Sequence, residues 1–344
     1  MEEQTVRAGF SAKYGSYSLI DLSKDKVIIL ELIQSNEVGG SHYMEKQGLD
    51  QALTSLMEHG ISVDVLVTDR HCQIKKWMRE QHADIAHYFD VWHVAKGIKK
   101  KLIALAKEKD CSTLRPWIKS ISNHVHWTAA STPDGNGDVM VSKWYSLLHH
   151  ISNIHSGHDG PFTECEHGPL EGEDRDNLWL KPGTKVFSML ENIVEKNILL
   201  KDIRKLSPVH QTSSIESFHN VINHFAPKMF PFSYMGLLCR ITLAALHFNE
   251  NARRAQAKTA LGNLRYKLQF PRYAPGECRA KPIKVERSYN YVEEIMTLVN
   301  QTASHINLTS QRPAIDTPPP LTAAYEKPLK DDVVKAHKKR FAKK

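Results

Sequence analysis

The sequence predicts an α/β fold in which helices cover a mixed β-sheet. Three observations support this prediction: two adjacent strand-like runs near the N-terminus, two short apolar runs that alternate with helical segments, and amphipathic helices later in the chain. The chain has 344 residues, of which 41% are hydrophobic and 24% charged. It can therefore bury one large core or two moderate ones.

The first two strands form a predicted hairpin. Tyr14–Asp21 and Lys26–Gln34 are rich in β-branched and aromatic residues, and the polar segment SKDK between them has hairpin length. Apolar residues at helical spacing then predict a helix over Met44–His59, which ends at Gly60. The chain thus begins with antiparallel pairing.

Two further strands alternate with helices. Val63–Thr68 and Ile85–Phe89 are short apolar runs, and Arg70–Gln81 and Val91–Lys107 are the helices predicted after them. An antiparallel hairpin followed by parallel strands with helical crossovers predicts a mixed sheet.

The rest of the chain is predicted to be mainly helical. Ser112–Lys205 lacks strand signals and resembles a helical insertion, a helix starts near Ser213, and Ser233–Lys258 is a long amphipathic helix. After Arg312, a proline- and lysine-rich tail predicts disorder. The expected domains are residues 1–108 (N-terminal part of the core), 109–207 (helical insertion), 208–262 (C-terminal helical part of the core), 263–311 (extension) and 312–344 (disordered basic tail).

Composition limits the classes of protein that fit this chain. No apolar run is long enough to cross a bilayer and the N-terminus lacks the features of a signal peptide, so we expect a cytosolic or nuclear protein without membrane association. The five scattered cysteines show no disulfide-like spacing. A net charge of +8 fits a polyanionic partner such as nucleic acid, and fits a merely basic soluble protein equally well.

An aspartate follows each of the two predicted parallel strands. Asp69 comes after VDVLVT and Asp90 after IAHYF. Ligands gather at the carboxyl ends of strands in α/β sheets, and carboxylates there suit Mg²⁺ or Mn²⁺. The alternative is that each aspartate only caps the helix that follows it.

Three segments together carry a family resemblance. They are "TDRHCQIKKWMRE", "FDVWHVAKGIKKKL" and "SPVHQTSSIESFHNVINHFAPK". In their order and spacing they resemble the catalytic region of DDE-type DNA transposases of the RNase H-like, retroviral-integrase-like superfamily, and in particular transposon-derived animal proteins that often accompany a THAP zinc-finger domain. The resemblance extends from about Gly9 to Tyr291.

The resemblance implies an RNase H-like fold and assigns roles to several residues. Asp69 matches the second metal ligand and Glu216 the third, with the helical insertion between them. Asp90 and His93 resemble an accessory DxxH motif, and His219, on the same predicted helix as Glu216, is a further supporting residue. These residues would serve DNA strand cleavage and transfer with Mg²⁺ or Mn²⁺ as cofactor.

The chain departs from the family pattern at its N-terminus. The family has a first catalytic aspartate on its first strand, but no aspartate occurs here before Asp21. Glu2 and Glu3 are poor substitutes because they lie at a terminus that is expected to fray. We therefore expect that the first strand is missing, that cleavage is impaired and that the chain is a truncated or domesticated transposase core.

Two alternatives stay open at this stage. The chain can be a working metal-dependent nuclease that takes its missing carboxylate from Asp21, Asp64 or Asp90. It can also be a non-catalytic module that binds DNA or another protein.

The loop "HHISNIHSGHDGPFTECEHG" contains a possible second type of metal site. Imidazole and thiolate groups suit Zn²⁺, and His155, Cys165 and His167 are the main predicted ligands, with His149 and His150 at the end of a helix as further candidates. The alternative is a polar loop with exposed histidines. The sequence thus predicts a structural zinc ion as a candidate cofactor.

Basic side chains with aromatic neighbours are candidate phosphate contacts. The main candidates are Lys96, Lys99, Lys100, Lys228 and Arg240, and the wider set adds Lys101, Trp117, Arg253 and Arg254. A solvated helix face explains the lysine cluster equally well. DNA is the expected partner, a homo-oligomer is a further candidate, and the tail KKRFAKK resembles a nuclear-import signal.

Overall fold

The computed structural model confirms the α/β class. It describes residues 2–4, 12–171, 178–210, 212–271, 276, 278–303, 317–320 and 328–341, which contain eleven α-helices and three small sheets. The chain divides into two compact units, Met1–His59 with Glu216–Lys344 and Gly60–Ile215. Within the described residues, no helix is long and apolar enough to cross a membrane.

The first unit contains a three-stranded antiparallel sheet. Its strands are β1 (Glu2–Gln4), β2 (Tyr14–Asp21) and β3 (Lys26–Gln34), in that order across the sheet. The predicted hairpin is confirmed with its bounds. A short strand, Glu2–Gln4, pairs with Tyr14–Ser16 of β2 near the position where the sequence predicts that the family's first strand is missing, and this strand contains no aspartate. Three residues are too few to show a periodic pattern, and pairing uses backbone groups that every sequence offers. Gly9–Ser11, where the family resemblance begins, lies outside the described residues.

Both faces of strand β3 contribute to buried clusters. Ile33 packs with Met44, the first residue of α1 (Met44–Glu58). Leu32 belongs to a second cluster that includes Phe218 of α8 (Ser213–Phe225) and Ile241 of α9 (Tyr234–Asn251). Alternate side chains of a strand point to opposite faces, so this strand needs apolar partners on both sides.

Helix α1 approaches β2 closely because residue 48 is glycine. A Cβ atom at Gly48 would lie 2.6 Å from the Cβ of Tyr17, well inside normal contact distance. A larger side chain would therefore push the helix away from the strand.

The second unit contains a parallel pair of strands, β4 (Val65–Thr68) and β5 (Ala86–Phe89), joined by helix α2 (Cys72–Gln81). Helix α3 (Val91–Leu105) follows β5. Among the described residues, the hairpin and the parallel pair form separate sheets, which differs from the single mixed sheet that the sequence predicts. Apolar periodicity identifies a strand but does not select its partner.

Among its described residues, the predicted helical insertion contains four α-helices. They are α4 (Trp117–Ala130), α5 (Gly137–His150), α6 (Lys185–Val194) and α7 (Asn197–Ile203). These helices share one buried cluster with β5 and α3, and the largest fully buried side chain in it is Trp144. The insertion therefore packs in the same core as the parallel strands.

The described residues of the C-terminal part of the chain are largely exposed. It contains the hairpin β6 (Tyr266–Gln269) and β7 (Arg279–Pro282), which the sequence did not indicate, and the helix α10 (Asn290–Ala303). The expectation of a disordered tail is corrected at Lys330–Phe341, which forms helix α11. Two aspartates in its first turn interact favourably with the helix dipole, which favours a helix even without buried contacts.

Candidate functional site

The two strand-end aspartates lie at the same edge of the parallel pair. Thr68 pairs with Phe89 in the ladder, and the backbone N–H of Asp90 donates to the Thr68 carbonyl oxygen at 2.8 Å. Asp69 is exposed, and its Oδ1 accepts a hydrogen bond from the His71 backbone N–H at 3.2 Å. Asp69 thus presents an accessible carboxylate at the carboxyl end of β4.

Asp90, by contrast, is buried and caps helix α3. Its Oδ2 accepts from the His93 backbone N–H at 3.1 Å and from His93 Nδ1 at 2.8 Å. Burial alone would raise the pKa of Asp90, but hydrogen bonds from His93 and Thr212 outweigh burial and hold this pKa below its usual range. The DxxH motif therefore forms a local hydrogen-bonded unit at the start of α3.

A buried histidine, which sequence reasoning did not single out, lies on the neighbouring strand. His87 on β5 has its Nε2 atom 2.8 Å from Thr68 Oγ1. Burial, with Lys205 and Lys75 nearby, lowers the pKa of His87 to about 4. His87 is consequently neutral at pH 7, and its ring lies beside Thr68, the last residue of β4.

The segment after Asp69 is anchored by an ion cluster. Asp202 on α7 is buried, and its carboxylate accepts from Arg70 Nη1 at 3.0 Å and from Lys75 Nζ at 3.3 Å. Gly97 makes room for this arginine, since a Cβ there would lie 2.9 Å from Arg70 Nη2. The contacts tie α2, which begins just after Asp69, to α7.

We expect Asp202→Asn to destabilise the protein by about 1–3 kcal/mol, because it removes the partner of two cations that are only partly hydrated. The free energy of unfolding in urea measures this loss. Asp84→Asn, a change at an exposed aspartate of the same unit, is the matched control and should cost less than about 0.5 kcal/mol. Equal unfolding midpoints for the two variants would contradict the anchoring role.

The third residue implied by the resemblance lies on another element. Glu216 is exposed in the first turn of α8, and His219 is half-buried on the same helix. The His219 carbonyl oxygen accepts from Asn223 Nδ2 at 3.1 Å. Asp69 belongs to the unit Gly60–Ile215 and Glu216 begins the C-terminal part of the other unit.

Helix α3 exposes a basic face that carries an aromatic side chain. Lys96, Lys99 and Lys100 are exposed, and Lys96 Nζ lies 4.3 Å from the ring centroid of Trp92. Trp92 is 43% exposed, which is unusual for the largest apolar side chain. Sequence reasoning did not include Trp92 in this face, although its spacing of four residues from Lys96 was a usable signal.

The other candidate phosphate contacts differ in availability. Lys228 is exposed, and the Arg240 guanidinium is exposed and lies 4.7 Å from the ring centroid of Phe232. Trp117 is not available to nucleic acid, because it is buried and its Nε1 donates to the Leu178 carbonyl oxygen at 2.7 Å. Arg253 forms an ion pair with Asp25 at 3.0 Å.

A cluster of histidine and cysteine side chains lies at the end of α5, within the second unit. It comprises His150, His155, Cys165 and His167, which each offer one ligand atom, and these atoms lie within 4.8 Å of one another. Burial, followed by His155 and His167, lowers the pKa of His150 to about 4. The three predicted zinc candidates are thus brought together, and His150 joins them. A His/Cys cluster of this kind can hold a metal such as zinc.

Comparison with known proteins does not assign this chain to a family or a function. No protein-family model matches the chain, and no curated protein or solved structure matches it. The functional assignment therefore depends on the residues of this chain.

Proposed function

We propose that this chain is a transposase-derived, nuclear DNA-binding protein with an RNase H-like core, and that its capacity for DNA strand cleavage is impaired. The order of its elements supports this origin. An antiparallel hairpin precedes a parallel strand pair, Asp69 follows the first strand of that pair, and Glu216 lies on α8, after the four helices of the insertion. This is the order that the family resemblance implies.

The exposed face of α3 is the observation that carries DNA binding. Trp92 offers a flat apolar ring for stacking, and Lys96, Lys99 and Lys100 offer positive charge along the same helix. Aromatic rings that stack on bases, beside cations that contact phosphates, are the combination that nucleic-acid-binding surfaces use. The face starts directly after Asp90, at the carboxyl edge of the strands.

Catalysis would require carboxylates that are free to bind Mg²⁺ or Mn²⁺. In the proposal Asp69 and Glu216 are the surviving catalytic carboxylates that the family resemblance implies. Of the three candidates for a replacement carboxylate, Asp90 caps helix α3, Asp21 Oδ1 accepts from Ser23 N at 2.8 Å and from Ser23 Oγ at 2.6 Å, and Asp64 is exposed. Losing one ligand of a two-metal site removes much of the charge that stabilises the transition state. The hydrogen bonds that Asp90 and Asp21 make locally support the proposal that DNA strand cleavage is impaired.

Fluorescence anisotropy with a labelled DNA duplex tests the binding proposal. In the variant that combines Lys96→Gln, Lys99→Gln and Lys100→Gln, we expect weaker binding and a slope of log K against log salt that is smaller by about 2–3. Trp92→Ala should weaken binding to single-stranded DNA by about tenfold, because base stacking contributes about 1–3 kcal/mol.

The matched control combines Lys107→Gln, Lys109→Gln and Lys119→Gln, which remove the same charge at exposed positions of the same unit outside this face. If the control reduced binding and the salt slope as much as the α3 variant does, net charge rather than this face would explain DNA binding. Absence of DNA binding at low salt would overturn the proposal in favour of a protein-interaction module.

A plasmid-nicking assay with Mg²⁺ or Mn²⁺ tests the second part of the proposal. We expect no cleavage above background, and we expect Asp69→Asn and Glu216→Gln to bind DNA as the unaltered chain does. Metal-dependent nicking that disappears in Asp69→Asn would instead identify a working nuclease. Gel filtration with and without DNA would show whether a homo-oligomer forms.

A further inference from the structure

We propose that His150, His155, Cys165 and His167 bind one zinc ion in a closed, structural site. The four residues offer three imidazoles and one thiolate, which are the ligand types that Zn²⁺ prefers. This inference does not depend on the proposed DNA binding, since the cluster and the α3 face share no residue.

The distances within the cluster fit tetrahedral coordination. Typical Zn–N and Zn–S bonds give tetrahedral edges of about 3.3 Å between two nitrogens and about 3.6 Å between nitrogen and sulfur. His155 Nδ1 and His167 Nε2 are 3.2 Å apart, and His150 Nδ1 and Cys165 Sγ are 3.6 Å apart. Two edges of the tetrahedron therefore already have the length that zinc requires.

The hydrogen bonds of two histidines orient their lone pairs toward the centre of the cluster. His167 Nδ1 lies 2.8 Å from the Gly168 carbonyl oxygen, which can only accept, so Nδ1 carries the proton. His155 Nε2 lies 3.1 Å from Asn153 Oδ1 and donates to it. Both facing nitrogens thus carry lone pairs, and a cation between them resolves their repulsion. Histidines that bind a metal through one ring nitrogen typically donate a hydrogen bond from the other ring nitrogen, as these two do.

A fourth histidine supports the thiolate without being a ligand in this assignment. His158 is buried, and its Nε2 lies 3.4 Å from Cys165 Sγ. Its Nδ1 lies 2.9 Å from His149 Nδ1, so His149 can donate to His158 while His158 donates to the sulfur. His149 and His150 are adjacent on α5, and only His150 lies in the cluster because neighbouring helical residues point about 100° apart.

The protein frame holds the four ligands in place. Cys165 N donates to the His155 carbonyl oxygen at 2.8 Å, and a bridge pairs Ser156 with Glu164, so the loop between them is closed. The ring of Trp179 lies against His150 and His155, with centroid distances of 6.2 Å and 5.7 Å. With four protein ligands the coordination sphere is complete, which indicates a structural zinc ion rather than a catalytic one.

Metal analysis and cobalt substitution of the full chain test this site. The purified protein should contain one zinc ion per chain. After chelation, Co²⁺ should give the intense visible bands of tetrahedral coordination with a thiolate-to-metal charge-transfer band. Cys165→Ser should abolish the charge-transfer band, and Cys72→Ser, at an exposed cysteine of the same unit, should leave it unchanged.

His167 offers a variant that tests the site without disturbing the core, because it is exposed. His167→Ala should lower zinc affinity by at least tenfold, and His167→Cys should restore stoichiometric binding and strengthen the charge-transfer band. Less than stoichiometric zinc together with no tetrahedral Co²⁺ spectrum would overturn the proposal. An unchanged charge-transfer band in Cys165→Ser would also overturn it.

Discussion

Removal of zinc should lower the free energy of unfolding of this protein by about 4 kcal/mol when the free zinc concentration is about 1,000 times the dissociation constant. The loop that carries three of the four ligands has few buried apolar side chains, with Phe162 as its main anchor. A metal ion that joins this loop to the end of α5 therefore replaces packing that the loop lacks.

Thermal unfolding with zinc and with a chelator measures this effect. We expect the chelated protein to melt at a lower temperature and to be cut by protease between His150 and His167. With zinc present, His167→Ala should melt at a lower temperature than the unaltered chain, because its lower zinc affinity leaves a smaller stabilisation. Cys72→Ser should still respond to zinc. A chelator that left both the melting temperature and the protease pattern unchanged would contradict a structural role for zinc.

Asp90→Ala should destabilise the protein by about 3 kcal/mol, because it removes a helix cap and leaves partly buried donors without an acceptor. The donors are the His93 backbone N–H, His93 Nδ1 and the Thr212 hydroxyl group. Asp69→Ala is the matched control at the neighbouring strand end, and its exposed carboxylate should cost less than about 0.5 kcal/mol. Urea unfolding compares the two variants. Equal losses in both would contradict the separate roles that the structure gives these aspartates.

The charge of Asp90 should also show in the pH dependence of stability. The folded state lowers the pKa of Asp90, so its ionised form favours folding above the pKa of the unfolded chain. The difference in free energy of unfolding between the unaltered chain and Asp90→Asn should have its largest value at neutral pH. It should shrink as the pH falls below the ordinary aspartate pKa of about 3.9 and through the lower folded value. A difference that grew in acid would contradict this sign.

Much of the local structure could be predicted from the sequence because it follows from local patterns. The strands Tyr14–Asp21 and Lys26–Gln34 have the predicted bounds, since each is a long run with β propensity on either side of a polar turn. Strand β1 was missed because three residues carry no periodic signal. The pairing of strands into separate sheets was missed because each strand pattern fits several partners.

For the metal cluster, too, the sequence predicts local features but not the direction in which each side chain points. His155, Cys165 and His167 were predicted from ligand chemistry and proximity in the sequence, and the structure brings them together. The choice between His149 and His150 could not be made, because it depends on which way each faces at the end of α5. Trp117 was misjudged as a surface aromatic because burial depends on packing against distant segments such as Leu178.

We propose that this protein binds DNA through the face of α3 that contains Trp92 and Lys96. Photo-crosslinking to DNA that carries bromodeoxyuridine, followed by peptide mass spectrometry, tests this proposal. We expect the dominant crosslink in the peptide that contains Trp92, and we expect it to persist after removal of residues 328–344, which include the basic helix α11. A crosslink found only in that C-terminal segment, with none in α3, would contradict the proposal.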